Sequence, residues 1–255
     1  MRSSARFALV LLTLAACAPA NDDSTAESEG ALGATGTSGG AATLPNAIHW
    51  VRNSAEYRAA VRQAYRLAAA NVASELARTK LAPGTWGVVL DADETVVDNS
   101  AYNMERAFSP EGSTSSSWDT YVKSGTGKAI PAAMPFLEEV KRAGGRVFIV
   151  TNRSEAHCAA TQDNLRRIGV SFDAILCKGT FESDKNGRFR AIEEGKAPSP
   201  LPATKVLVYV GDNVMDFPGL DQAARDREES LKEFGGRFIL IPNPMYGSWE
   251  KNERR

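Results

Sequence analysis

The sequence predicts an α/β protein with a doubly wound parallel sheet and an added helical segment, on three observations. Val88-Val89-Leu90 and Val208-Tyr209-Val210 are apolar runs, rich in β-branched residues, that stop at acidic blocks, the pattern of buried parallel strands emerging at their carboxyl ends. Strand-like stretches at 86–91, 146–151, 172–177, 205–210 and 237–241 have helical patterns at 132–143, 154–168 and 218–233 falling between them, and that alternation implies parallel pairing through right-handed crossovers. Each of the two acidic blocks holds a pair of aspartates, Asp91 with Asp93 and Asp212 with Asp216, at the end of the sheet where open α/β folds keep their sites.

At the amino terminus, Arg2 and Arg6 precede an apolar run at 7–16, too short to cross a bilayer and laid out as a secretory signal. Leu14-Ala15-Ala16-Cys17 leads small residues directly into a cysteine. It resembles the lipobox of bacterial lipoproteins, in which cleavage leaves an acylated cysteine as the new terminus. Residues 1–16 then form the signal and Cys17 is the lipidation site; an ordinary signal cleaved after Ala18 or Ala20 is the alternative. Ala18, not an acidic residue, follows the cysteine. By resemblance to diderm lipoproteins this favours the outer membrane, facing the periplasm or the cell surface. Residues 17–43 are rich in Ala, Gly, Ser and Thr and bury too little to offset chain entropy, which makes them a tether.

Residues 44–255 suit one domain with a full core. A formal net charge of −1 argues against a surface that coats nucleic acid. Contact with a membrane is expected only through the lipid anchor, and a homodimer is left open.

The first helix is signalled by Asn53 as N-cap with Glu56 three residues on. Val61, Tyr65, Ala68, Val72 and Leu76 then recur at helical spacing until Pro83-Gly84 ends the element. In the crossover that follows the strand at 146–151, Cys158 falls in the first turns of a helix, and Cys177 ends the next strand. An oxidising compartment would permit a disulfide between them; two buried thiols acting as small hydrophobes are the alternative.

Two aspartate-terminated strands side by side crowd four carboxylates into one small volume. Their repulsion calls for a divalent cation, and all-oxygen donors suit a hard one such as magnesium. Asp91 and Asp93 sit two apart where a strand ends, so one carboxylate can attack phosphorus in line while the other protonates the departing oxygen. Thr95 and the turn amides are available to phosphate oxygens. Thr151-Asn152-Arg153 closes a third strand with hydroxyl and amide groups suited to phosphoryl oxygens at a helix start, although Thr-Asn before a helix is by itself commonly a cap. Lys185 lies in the polar loop Glu182-Ser183-Asp184-Lys185-Asn186-Gly187 and could bring one cation to the site; a lone lysine there is commonly just solvated.

Asp-x-Asp-x-Thr, a threonine after a strand, a lysine and Gly-Asp-Asn-x-x-Asp occur in that order, as the four motifs of the haloacid dehalogenase superfamily do. More narrowly, Asp91-Ala92-Asp93-Glu94-Thr95-Val96-Val97-Asp98-Asn99-Ser100-Ala101-Tyr102 and Gly211-Asp212-Asn213-Val214-Met215-Asp216-Phe217 resemble the two signatures of the class C, four-aspartate acid phosphatases and 5'-nucleotidases of bacterial lipoprotein type. Trp50-Val51-Arg52-Asn53-Ser54-Ala55-Glu56-Tyr57 and Pro242-Asn243-Pro244-Met245-Tyr246-Gly247-Ser248-Trp249-Glu250 extend the likeness over roughly residues 45–250. The resemblance implies a haloacid dehalogenase-like core with Asp91 as nucleophile and Asp93 as acid/base. It further implies magnesium held by the Asp91 carboxylate, the Asp93 main-chain carbonyl and Asp212, with Asp216 completing or orienting the shell. It places Thr151 and Asn152 on phosphate, and Lys185 on phosphoryl charge with Lys178 in reserve. Ala92 departs from the bulky aliphatic more common at its position.

The expected activity is therefore a magnesium-dependent acid phosphomonoesterase acting through an aspartyl-phosphate on small phosphomonoesters. Nucleoside monophosphates are included if Tyr102, Trp118 and Tyr246 stack on the base; packing of loops onto the core is the plainer use of those rings. A non-catalytic binding lipoprotein on the same scaffold is the alternative, but it has no need of a repulsive carboxylate cluster. Gly125-Thr126-Gly127-Lys128 is no P-loop, because Val122 stands where the first glycine belongs and Ala129 where Ser or Thr belongs.

Overall fold

A computed structural model describes residues 43–180, 182 and 184–254; the signal segment, Cys17 and all but the last residue of the tether lie outside them. The long strands are β1 (Trp86–Leu90), β4 (Arg146–Ser154), β5 (Ala174–Lys178), β6 (Lys205–Gly211) and β7 (Phe238–Leu240). They form one parallel sheet in the order β5-β4-β1-β6-β7. A short antiparallel pair, β2 (Val97–Asp98) with β3 (Lys128–Ala129), stands apart from it.

This order decides the site. β1 and β6 are direct neighbours with Leu90 opposite Val210, and the amide of Asp91 donates to the Val210 carbonyl at 3.0 Å. The two acidic blocks therefore leave the sheet side by side.

Both faces of the sheet are covered, as near-continuous apolar strands require. Val88, Leu90, Val147, Ile149, Val208 and Val210 pack beneath α2 (Ala55–Thr79) and α5 (Ala133–Arg142), which contribute Val61, Tyr65, Phe136, Leu137 and Val140. Val89, Phe148, Val150 and Tyr209 face the other way, onto Phe217 and onto Phe189 and Ile192 of α7 (Asn186–Glu194). Each such aliphatic or aromatic side chain contributes roughly 1.5–3 kcal/mol on full burial, so the strand ends are rigid mounts. Ala92 is buried in the first of these clusters.

The helices differ from expectation in several respects. Asn53 closes α1 (Asn46–Asn53), and Ser54 caps α2, its hydroxyl accepting from the Tyr57 amide at 3.0 Å. The helix expected over 218–233 is broken into a 3-10 turn at Gln222–Asp226 and α8 (Glu228–Leu231). Gly219 lies at positive φ and the Asp221 side chain caps the 3-10 turn through the Ala223 amide, local bonds that compete with a continuous helix.

Two helices not expected from the sequence, α3 (Ser100–Ala107) and α4 (Ser115–Ser124), occupy the segment between β1 and β4. α4 starts with a reciprocal cap between Thr114 and Ser117. Cys158, the first residue of α6 (Cys158–Arg167), is disulfide-bonded to Cys177 of β5, which decides between the two uses of those cysteines. Among the described residues no helix is long and apolar enough to cross a membrane.

Candidate active site

Asp91, Asp212 and Asp216 each offer a carboxylate oxygen, all within 4.8 Å of one another. Asp91 is carried by the end of β1 and Asp212 by the end of β6, and Asp216 is returned to them by a 3-10 turn at Val214–Asp216. That turn is held by the Asp216 side chain, which accepts from the Asn213 amide at 2.9 Å. Gly211 makes the approach feasible: a Cβ there would lie 2.3 Å from the Asp216 Cβ and 2.5 Å from its Oδ2.

Lys185, immediately before α7, is buried against this cluster. Its ammonium donates to Asp91 and lies 2.8 Å from Asp216 Oδ1. Lys178, by contrast, ends β5 in register with Ser154, half-buried. Burial opposes the charge of Lys185, but Asp216 and Asp91 outweigh it and raise its pKa above the ordinary lysine value. Asp91 is raised to about 7, chiefly by burial; Lys185 pulls against that, and the Asp216 and Asp93 charges add to it. Asp212 is pushed well above the carboxylate range by burial, then by Asp216 and Asp91.

Three carboxylates against one ammonium leave two negative charges. An all-oxygen donor set of that residual charge fits a hard divalent cation, which would draw the carboxyl groups back to their ionised forms.

Beyond Asp91 the chain makes a tight turn in which the amides of Val96 and Val97 both donate to the Ala92 carbonyl, at 3.0 and 2.8 Å. Glu94 occupies the left-handed region at φ 51°, a conformation costing a non-glycine residue roughly 1–2 kcal/mol. It is buried, and its carboxylate accepts from the Asn99 amide at 3.0 Å, from Asn99 Nδ2 at 3.1 Å and from the Tyr246 hydroxyl. Burial, followed by the charges of Asp93 and Asp212, pushes Glu94 well above the carboxylate range.

The turn directs Asp93 away from the Asp91 cluster. Its carboxylate is gripped by Arg153, whose Nη2 donates to Oδ1 at 2.6 Å and whose Nε lies 3.1 Å from both oxygens, and Oδ1 accepts from Asn99 Nδ2 at 2.8 Å.

Asp91, Asp93, Asp212, Asp216, Asn152 and Arg153 face a cavity of about 800 Å³. Tyr102, Trp118 and Tyr246 line the same cavity. Tyr102 is nearly enclosed: it stacks on Tyr121 at 4.7 Å, meets Trp118 edge-on at 5.2 Å and bonds Ser113 and Ser117 through its hydroxyl. Trp118 and Tyr246 keep more ring surface open, being half-buried.

The two threonines expected on phosphate do not line the cavity. Thr95 lies beneath the turn with its hydroxyl buried and unpartnered, while its carbonyl accepts from Tyr65. The Thr151 hydroxyl accepts from the Arg153 amide at 3.1 Å, so it serves the bend of the strand end. Asn152 is exposed to the cavity, its side-chain oxygen held by Arg188 at 3.0 Å.

Arg153, Asn99, Glu94 and Tyr121 had no role in the sequence reading. Arg153 follows Asn152 at the end of β4, and the ordinary expectation for an arginine is exposure. Its burial at 4 % follows from Asp93 arriving opposite it. Asn99 and Tyr121 lie between β1 and β4, in a stretch to which no element was assigned from the sequence.

The family model described as haloacid dehalogenase superfamily, subfamily IIIB (acid phosphatase), matches residues 31–249. Acid phosphatase 1 of Solanum lycopersicum is 26% identical over 161 residues, covering 62% of this chain and 57% of the relative; the chain thus spans little more than half the length of that relative. A class C acid phosphatase from Bacillus anthracis with tungstate bound superposes with a TM-score of 0.68 at 27% identity, over 80% of this chain and 85% of the other. A second structure of the class C acid phosphatase from Bacillus anthracis gives the same values.

Proposed function

The chain belongs to subfamily IIIB of the haloacid dehalogenase superfamily, the acid phosphatases, and from that membership we propose that it is a magnesium-dependent acid phosphomonoesterase working through an aspartyl-phosphate. The observation that carries the reading is the Asp91, Asp212 and Asp216 cluster opening, beside Asp93, onto one cavity.

In the proposed reaction an Asp91 oxygen attacks phosphorus while Asp93 gives a proton to the leaving oxygen; Asp93, now a carboxylate, then takes a proton from the water that cleaves the acyl phosphate. Lys185 favours the anionic form of Asp91 against burial and offsets charge developing on the phosphoryl group. Asn152 presents an amide to a phosphoryl oxygen from the end of β4. The carboxylates of Asp91, Asp212 and Asp216 and the main-chain carbonyl of Asp93 would hold magnesium, which when bound supplies charge neutralisation and orientation of the phosphoryl oxygens.

The substrate class in this reading includes nucleoside monophosphates. A cavity of about 800 Å³ has room for a sugar and base beyond the phosphate, and Trp118 and Tyr246 offer flat faces that tolerate different bases, whereas Tyr102 spends its ring on Tyr121 and Trp118 and supports the rim. The cellular setting in this reading is the outer membrane, facing the periplasm or the cell surface through acyl chains on Cys17; the Cys158–Cys177 disulfide favours an oxidising compartment of this kind.

A colorimetric phosphatase assay with and without chelator, followed by magnesium addition, tests the activity. Chelator-insensitive turnover, or none, would overturn the reading. Cys17→Ser should release the protein from membranes, and unchanged membrane association would refute the anchor.

A further inference from the structure

We propose that Arg153, together with Asn99, is the positioning device for Asp93, the residue that moves the proton in both halves of the reaction; this rests on the phosphomonoesterase reading above. A carboxylate at the end of a turn has two free torsions, and proton transfer requires it within hydrogen-bond reach of the leaving oxygen. Here both oxygens of Asp93 are engaged by one planar guanidinium, and Oδ1 also accepts from Asn99. The device is itself seated from outside. Arg153 Nη1 donates to Thr161 of α6 at 3.3 Å, its guanidinium lies 5.4 Å from the centre of the Trp118 ring, and Asn99 is fixed by the Tyr121 hydroxyl at 2.9 Å. Trp118 and Tyr121 both belong to α4, so the helix that forms the cavity rim also sets the orientation of the proton carrier.

Such a grip is chemically selective. When the P–O bond to the leaving group breaks, an alkoxide must be protonated by Asp93, whereas an acidic phenolate departs without that proton. In the second half Asp93 takes a proton from water as the water oxygen bonds phosphorus and the bond to Asp91 breaks, and this step is the same for every substrate. Loss of the grip therefore has two signatures. The specificity constant, which reports the first half, falls for alkyl phosphates and hardly for aryl phosphates with acidic phenols. The second half slows for both.

The experiment compares wild type, Arg153→Lys and Arg153→Ala on glycerol phosphate and on p-nitrophenyl phosphate, with thermal melts to establish folding. Because a positioned general acid contributes about 10²-fold or more, kcat/KM for glycerol phosphate should fall about 10²-fold and for p-nitrophenyl phosphate less than about threefold. Rapid mixing of a variant with the aryl substrate should show a burst of phenol followed by a slow steady state. An equal fall in kcat/KM for both substrates would overturn the proposal and place Arg153 on the phosphoryl group instead. If Arg153→Ala does not fold, Arg153→Lys decides alone, since it keeps the charge and loses the planar fork; wild-type levels on both substrates would equally overturn it. Absence of wild-type phosphatase activity would instead sink the functional reading itself.

Discussion

Replacing Lys185 by methionine keeps the length of the side chain and removes the ammonium that is paired with Asp91 and Asp216. Removing one partner of a buried ion pair leaves the remaining charge uncompensated, at a cost of about 3–5 kcal/mol. For a domain of this size that corresponds to roughly 2–4 °C per kcal/mol, so Lys185→Met without divalent cation should melt about 6–20 °C below wild type. The deficit should depend on pH. Asp91 is raised to about 7 by burial, so its contribution to stability is present below the ordinary carboxylate range and is lost as pH rises toward 7. Removing Lys185, which lowers Asp91, raises it further, so the gap between variant and wild type should be small at pH 5 and widest above pH 7. Saturating magnesium should narrow the gap, because the ion supplies the missing positive charge. Turnover should still fall about 10²–10³-fold, the usual loss when one stabiliser of transition-state charge is removed. Thermal melts from pH 5 to 8.5, with chelator and with magnesium, test the argument. A variant within about 2 °C of wild type at pH 8 in chelator would show that Lys185 does not screen the cluster, and the reasoning from burial would fail.

Asp91→Asn should abolish turnover while raising the melting temperature in chelator, because one of three crowded carboxylates becomes neutral; retention of more than a few per cent of wild-type activity would refute Asp91 as nucleophile. The disulfide closes a loop with a sequence separation of 19, and the double variant Cys158→Ser/Cys177→Ser should lose about 3 kcal/mol of stability in denaturant titrations; no loss would mean that the bond is absent or without effect in the native protein. Tyr246→Ala should lower kcat/KM for a nucleoside monophosphate by roughly 5–150-fold, the equivalent of about 1–3 kcal/mol of stacking, and leave glycerol phosphate nearly unchanged. Tyr246→Phe, which removes only the hydroxyl that donates to Glu94, should keep the nucleotide preference. Equal losses on both substrates would mean that Tyr246 merely supports the Glu94 turn.

The information legible in the chain is local. Runs such as Val88-Val89-Leu90 and Val208-Tyr209-Val210 have no alternative to burial on both faces. Their strands, the parallel sheet and the acidic blocks at the carboxyl ends were therefore legible, and the order of the motifs pointed to the family. The same local logic misplaced the cap by one residue at Asn53, where Asn and Ser are both good caps, and ran a helix through 218–233 because apolar spacing says nothing of Gly219 and the Asp221 cap. The Ser- and Thr-rich stretch that becomes α4 offers only Trp118, Tyr121 and Val122 at helical spacing, and its helix is organised by a cap and by aromatic packing on that side. Tertiary structure alone decided which charges met. Lys185 reads as a solvated loop lysine until β1 and β6 bring Asp91 and Asp216 to it. Arg153 reads as a strand-end residue until the Glu94 turn sets Asp93 opposite it. The disulfide stayed undecided until β5 and α6 set Cys177 beside Cys158. A hydrophobic run carries its own reason to be buried, whereas a buried charge is tolerated only with a partner, and the partner stands 60 or 94 residues away in the chain.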